Sequence, residues 1–82
     1  MEIKVLGPGC ANCKRLYQEA ERAVAQVGQP ATITKVEAME DIVAYGILRT
    51  PGLVIDGKVV ASGRVPSAAE IATLITSAQA RP

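Results

Sequence analysis

Histidine, tryptophan and phenylalanine are absent from this chain of 82 residues. Histidine is the side chain that most often acts as a general acid or base, and it is the commonest metal ligand. Without it, most of the possible chemistry must pass through the only two cysteines, Cys10 and Cys13. This absence makes the cysteine pair the first candidate for a functional site.

The chain also lacks concentrated charge and long apolar runs. Nine basic and eight acidic residues give a formal charge of +1, and Tyr17 and Tyr45 are the only aromatic residues. A nucleic-acid surface needs a basic stripe, often with stacking platforms, so nucleic-acid binding is not expected. No apolar run reaches the ~18–20 residues of a membrane span, and residues 1–4 do not resemble a secretion signal. We therefore expect a cytoplasmic protein that contacts neither membrane nor nucleic acid.

Length and composition predict a single domain over residues 1–82. Apolar residues make up 49% of the chain, which is enough for one small core. The spacing of apolar residues along the chain predicts an α/β domain in the order β-α-β-α-β-β-α, with a four-stranded mixed sheet flanked by helices. The first two strands should be parallel because a helix joins them. The last two strands should form an antiparallel hairpin around Asp56-Gly57.

The predicted elements are bounded by residues that break or cap them. Gly28 and Gly46 should end the first two helices, and Ser67 and Glu70 should form a capping box for the third. Residues 80–82 are expected to fray. The elements are predicted at residues 2–6 (strand), 11–27 (helix), 31–36 (strand), 38–45 (helix), 53–55 and 58–61 (hairpin strands), and from 67 onward (helix).

The segment Cys10-Ala11-Asn12-Cys13 lies where the first strand gives way to an amphipathic helix. Unpaired N–H groups at a helix N-terminus stabilise a thiolate, so we expect Cys10 to titrate below the ~8.5 of a free thiol. Cys13 belongs to the apolar stripe of the helix and should be the more buried sulfur. This asymmetry predicts that Cys10 is the nucleophile and that Cys13 is the resolving thiol.

Lys14 and Arg15 follow the cysteines, and no acid occurs between Glu2 and Glu19. Cations at a helix N-terminus are unfavourable for the helix alone. Their presence is consistent with stabilisation of a sulfur anion, which makes Lys14 a candidate for tuning the pKa of Cys10. Alternatively, both are solvated basic side chains whose stems cover apolar surface.

Thr50-Pro51 stands immediately before an apolar strand. An X-Pro bond is the one peptide bond for which the cis form is cheap. A cis bond here would bring the backbone of Thr50 beside the sulfurs and offer it to an extended substrate, which makes Thr50 and Pro51 candidate substrate-binding residues. Alternatively, Pro51 is an ordinary trans proline at the start of a strand.

A redox role for the cysteine pair competes with a structural disulfide, with coincidence and with metal binding. A structural disulfide closing so short a loop would contribute only ~2 kcal/mol, and the cytoplasm is reducing. Two unrelated cysteines would rarely meet in a Gly-Pro-Gly loop before a helix. Metal binding is the main alternative: two thiolates suit Cu(I), whereas zinc normally has four ligands.

Together, three motifs resemble the thioredoxin fold: residues 10–13 after the first strand, Thr50-Pro51 before the third, and Asp56-Gly57 in the hairpin. More narrowly, residues 50–60 and 62–67 resemble small redox-active disulfide proteins of bacteria and archaea. The resemblance implies thiol–disulfide exchange at the two cysteines and a cis proline facing them. It implies disulfide-containing protein or low-molecular-weight thiol substrates, a reductase or thiol as electron donor, and neither cofactor nor metal.

The chain departs from typical thioredoxins at several positions. Gly9 replaces the tryptophan before the first cysteine, Ala11-Asn12 replaces Gly-Pro, and Lys4 stands where the buried acid of thioredoxins would fall. Residues 62–64 do not clearly match the glutathione-binding Gly-Gly of glutaredoxins. Heavy-metal-associated domains share the cysteine spacing but have a different element order. Oxidoreductase is therefore the leading prediction, ahead of a soft-metal carrier and of an interaction module that senses oxidation.

Overall fold

Strands and helices follow one another in the predicted order β-α-β-α-β-β-α. The computed structural model describes residues 1–79; residues 80–82, the expected frayed end, lie outside the described residues. The observed bounds agree with the predicted ones to within one or two residues. The elements are β1 (Glu2–Leu6), α1 (Ala11–Val27), β2 (Thr32–Val36), α2 (Met39–Ala44), β3 (Gly52–Ile55), β4 (Lys58–Ser62) and α3 (Ala68–Gln79).

The four strands form one mixed sheet in the order β2-β1-β3-β4. β1 pairs in parallel with β2 and antiparallel with β3, and β3 pairs antiparallel with β4. All four residues of β3 are buried, as expected for a central strand covered on both faces. The prediction of a four-stranded mixed sheet flanked by helices is therefore confirmed.

Alternation along β1 divides the core between the two faces of the sheet. Ile3 and Val5 face the layer that contains α1 and α3, where Leu16 and Ile71 are fully buried. Leu6 faces the opposite layer, which contains α2. Because side chains alternate along a strand, even-numbered residues of β1 lie on the α2 side. This parity decides which side chains of β1 can reach the cysteines.

The predicted turn and cap residues have the required backbone conformations. Asp56 and Gly57 have φ values of 47° and 83°, the left-handed pair of a tight hairpin. Asp56 also accepts a hydrogen bond from the backbone N–H of Glu2 through Oδ1 at 2.8 Å. Gly28 ends α1 with φ 74° and donates its N–H to Val24. The hairpin is thereby tied to the start of β1.

The capping box predicted for α3 forms only in part. Ser67 Oγ accepts the backbone N–H of Glu70 at 3.2 Å, as predicted. The Glu70 carboxylate does not reach back; it binds both terminal nitrogens of Arg64, at 3.1 and 2.6 Å. A bidentate guanidinium contact is stronger than a contact with a neutral amide. The sequence pattern did not reveal this competing partner.

Glu70→Gln should slightly lower the thermal unfolding midpoint at pH 7, because it removes the exposed ion pair with Arg64. The hydrogen bond from Arg64 lowers the pKa of Glu70. The stabilisation is therefore present above the unfolded-state pKa and is lost as the pH falls through the folded-state pKa. Unfolding curves of both proteins measured from pH 7 to pH 3 should converge at the acidic end.

Glu21→Gln is the matched control, because Glu21 is an exposed acid on α1. It should not reproduce the pH-dependent difference. A constant offset between wild type and Glu70→Gln across the whole range would contradict the proposed origin of the effect.

Candidate active site

Cys10 occupies the N-cap position of α1, with an extended backbone at φ −68° and ψ 168°. Its Sγ accepts a hydrogen bond from the backbone N–H of Cys13 at 3.2 Å. Its carbonyl accepts the N–H of Lys14 at 3.0 Å and begins the helical ladder. The sulfur thus takes the place of the oxygen that usually caps a helix. The same position would stabilise a thiolate after reduction.

The two cysteines form a disulfide across the first turn of α1, with Cα atoms 5.0 Å apart. Cys10 is exposed, whereas Cys13 is 5% exposed and lies on the buried stripe with Leu16 and Ala20. The first turn of α1 contains no acidic residue. The pair is therefore asymmetric: one sulfur faces solvent and the other faces the interior.

Gly7 gives Cys13 the space it needs, a role that sequence reasoning missed. A Cβ atom at Gly7 would overlap Cys13 Sγ and would stand 3.2 Å from Cys13 Cβ. The backbone of Gly7 is fixed in this place, because its N–H donates to the carbonyl of Val36 at 2.9 Å. In the sequence, Gly7 reads only as a strand breaker. The contact depends on how α1 packs over the end of β1.

The Thr50–Pro51 peptide bond is cis, and Pro51 is buried. Thr50 Cβ lies 3.8 Å from the position that a Cβ of Gly7 would occupy, next to Cys13. The carbonyl of Pro51 accepts the N–H of Gly63 at 2.9 Å, which anchors the turn to β4. The structure therefore brings the Thr50-Pro51 segment to the dithiol, as the sequence analysis expects.

A partly open cavity of about 60 Å³ lies beside Cys13. Lys14, the predicted tuning residue, lines it together with two charged residues that the sequence analysis did not single out. One of these, Lys35, holds its Nζ 4.9 Å from the ring centre of Tyr17. The second is Glu37, which is far from the cysteines in the sequence. Spacing within the chain could not predict its place in the cavity, because the pairing of β2 with β1 brings it there. The lining residues are Val5, Gly7, Gly9, Cys13, Lys14, Lys35 and Glu37.

Lys4 lies on the other face of the sheet, away from this cavity. Its Nζ donates to the hydroxyl of Tyr45 at 3.0 Å and lies 3.4 Å from a carboxylate oxygen of Glu2. These contacts raise the pKa of Lys4, with the hydrogen bond to Tyr45 as the largest cause. Lys4 is therefore a cation engaged with Tyr45 and Glu2, on the α2 side of β1.

Two further features of residues 1–79 concern metal binding and membrane insertion. No group of three or more histidine, cysteine, aspartate or glutamate residues in this range could hold a metal ion together. Within the same range, no helix combines the length and apolar character needed to cross a membrane. The cysteine pair remains the centre of the candidate site.

Comparisons with known proteins agree with this geometry. Residues 1–76 match the family model described as the thioredoxin domain. The chain is 38% identical over 76 residues to a thioredoxin of Methanothermobacter thermautotrophicus, covering 93% of this chain and 99% of that protein. It is 35% identical over 69 residues to a thioredoxin of Methanocaldococcus jannaschii, covering 84% and 79% respectively.

Gly7→Ala should destabilise the oxidised protein, because the added methyl group overlaps Cys13 Sγ. Overpacking of this kind costs about 1–3 kcal/mol, and we expect a loss of that size in the free energy of unfolding. Chemical denaturation of the oxidised variant and of the oxidised wild type would measure it. An unchanged denaturation midpoint would show that Cys13 can move aside at no cost.

Proposed function

This chain belongs to the thioredoxin family and is a thiol–disulfide oxidoreductase; from this premise we propose that Cys10 attacks substrate disulfides and that Cys13 resolves the product. The observation that carries the proposal is the difference in burial, since Cys10 is exposed and Cys13 is only 5% exposed. A substrate sulfur can approach Cys10 in line with the bond to be broken. Cys13 is largely shielded from a substrate in solution.

In the first step, the Cys10 thiolate attacks one sulfur of a substrate disulfide. A mixed disulfide forms at Cys10, and the other substrate sulfur leaves as a thiolate. The N–H of Cys13, which contacts Cys10 Sγ at 3.2 Å, favours the charged form of the attacking sulfur. The backbone N–H groups in the first turn of α1 that have no acceptor within the helix also favour the thiolate.

In the second step, the Cys13 thiolate attacks Cys10 Sγ and the second substrate thiolate leaves. The product is the Cys10–Cys13 disulfide seen in the structure. Cys13 needs no large movement, because the two residues are three apart on one helical turn. Reduction of this disulfide by a donor returns the two electrons and completes the cycle.

Thr50 and Pro51 are the proposed substrate-binding residues. Thr50 is exposed and lies beside the dithiol, whereas Pro51 is buried. The Pro51 carbonyl already accepts the N–H of Gly63, so a substrate segment would pair with the backbone of Thr50. This pairing would hold the substrate disulfide over Cys10 in an extended conformation.

Lys14 is the proposed tuning residue for the dithiol. It lies in the first turn of α1 and lines the cavity beside Cys13. Its positive charge favours a thiolate over a thiol at this end of the helix. The absence of an acid in the same turn leaves this effect unopposed within the turn.

Thioredoxins in general act on disulfide-containing proteins and receive electrons from reductases. For this chain we propose protein disulfides or low-molecular-weight disulfides as substrates and a reductase or a thiol as donor. The Cys10 and Cys13 thiols together supply the two electrons that reduce a substrate disulfide. The proposed reaction therefore uses neither a cofactor nor a metal. A cytoplasmic location belongs to the same proposal, because the cycle requires a reducing compartment.

Cys10→Ser should abolish disulfide reduction, because the variant has no exposed nucleophile. Cys13→Ser should instead accumulate a mixed disulfide at Cys10, because the resolving thiol is missing. Insulin reduction with dithiothreitol as donor, together with mass spectrometry of the trapped species, measures both results.

A mixed disulfide that accumulates in Cys10→Ser rather than in Cys13→Ser would reverse the proposed roles. Equal loss of Cu(I) binding in both variants, with no reductase activity in the parent, would favour a soft-metal carrier.

Lys14→Gln should shift the alkylation midpoint of reduced Cys10 to higher pH, because the variant removes a cation from the helical turn that Cys10 caps. Iodoacetamide modification followed by mass spectrometry across pH 5–10 measures the midpoint. Lys58→Gln, which removes an exposed charge from β4, is the control and should leave the midpoint unchanged. Equal midpoints in wild type and Lys14→Gln would assign Lys14 to the solvated surface.

A further inference from the structure

The cavity beside Cys13 raises a question about the second chemical step. Resolution requires the thiolate of Cys13, yet this side chain is only 5% exposed and lies on the buried stripe of α1 with Leu16 and Ala20. Burial in apolar surroundings raises the pKa of a thiol. The amide that favours a thiolate at Cys10 is the N–H of Cys13 itself, and it points at the other sulfur. The proton of Cys13 therefore needs a separate acceptor.

The charged groups around the cavity identify one possible acceptor. α1 contributes Lys14, and the β2 side contributes Lys35 and Glu37. The two lysines are cations, and a protonated ammonium cannot accept a proton. Glu37 is the one carboxylate among the lining residues. Lys4, on the opposite face of the sheet, does not line this cavity.

The position of Glu37 suits a proton acceptor at the cavity mouth. It follows the last residue of β2, and its Oε2 lies 3.3 Å from where a Cβ of Gly9 would stand. The carboxylate is thus held against the loop that carries Cys10. Glu37 is also exposed, so a proton it receives can pass to bulk solvent. One side of the carboxylate faces the dithiol loop and the residue remains open to water.

We propose that Glu37 accepts the proton of Cys13 through water in this cavity during resolution of the mixed disulfide. The proposal rests on the function proposed above, in which Cys13 is the resolving thiol. A volume of about 60 Å³ has room for one or two water molecules, each of which occupies about 30 Å³ in the liquid. The charged groups of Lys14, Lys35 and Glu37 in its wall can hydrogen-bond to such a water.

The step balances in protons and electrons. The Cys13 thiol gives its proton through water to the Glu37 carboxylate, and the resulting thiolate attacks Cys10 Sγ. The Cys10–Cys13 bond forms while the bond to the substrate sulfur breaks, and the substrate leaves as a thiolate. Glu37 then returns its proton to solvent. Lys14 and Lys35 favour the transient thiolate at Cys13 by their charge.

Stopped-flow mixing of the reduced protein with 5,5′-dithiobis(2-nitrobenzoate) separates the two steps. The first thionitrobenzoate leaves when Cys10 attacks, and the second leaves when Cys13 resolves the mixed disulfide. Glu37→Gln should slow the second release by about tenfold at pH 6. This is below the roughly 10²–10⁴-fold contribution of a positioned general base, because Glu37 acts through water. The first release should keep its rate.

The pH profile of the second release tests proton transfer rather than structure. In the wild type the rate should change little with pH, because the Glu37 carboxylate supplies the proton acceptor. In Glu37→Gln it should rise about tenfold per pH unit, because the fraction of Cys13 thiolate alone then limits the rate. Glu37→Asp should restore part of the level region, since it keeps a carboxylate.

Glu40→Gln is the matched control, because Glu40 is an exposed acid in the first turn of α2 and does not line the cavity. It should behave like the wild type in both phases. Identical profiles for wild type and Glu37→Gln would overturn the proposal, as would an equal effect of Glu40→Gln. Failure of the proposed function is a different result: Cys10→Ser would then retain the first release.

Discussion

The backbone of the β1–α1 loop passes directly against Cys13 Sγ. Gly7 makes this possible, since any Cβ there would overlap Cys13 Sγ. Its N–H is held by the carbonyl of Val36 in β2, so the loop cannot easily move away. The parallel pairing of β1 with β2 and the start of α1 are thereby coupled. The position of Cys13, and through it the site, depends on that single close approach.

The positions of the two cysteines on α1 create the chemical difference between the sulfurs. Cys10 lies outside the helix and receives the N–H of Cys13, which is an environment that favours negative charge. Cys13 lies on the inner stripe beside Leu16, which is an environment that favours the neutral thiol. One helical turn thus separates the proposed nucleophile, Cys10, from the proposed resolving thiol, Cys13. The proposed division of roles between the cysteines follows from this difference rather than from the cysteine spacing alone.

Features that arise from neighbours in the chain could be predicted from the sequence. The helical stripe of α1, the left-handed pair Asp56-Gly57 and the N-cap position of Cys10 all depend on a few consecutive residues, and all agree with the structure. Features that arise from packing could not. The contact of Gly7 with Cys13 depends on how α1 lies over β1. The partner of Glu70 depends on the loop after β4, which brings Arg64 to the start of α3.

The alternation of side chains along the sheet explains where charge can reach the dithiol. β1 and β2 run parallel in register, with Val5 opposite Lys35, so residues of equal parity on both strands share the α1 face. Lys4 has the other parity and is held by Tyr45 on the α2 face. The charges beside Cys13 accordingly come from Lys14 on α1 and from the odd-numbered positions Lys35 and Glu37 at and just after the end of β2. β2 is an edge strand, so such a charge stays in contact with water and can exchange protons without opening the core.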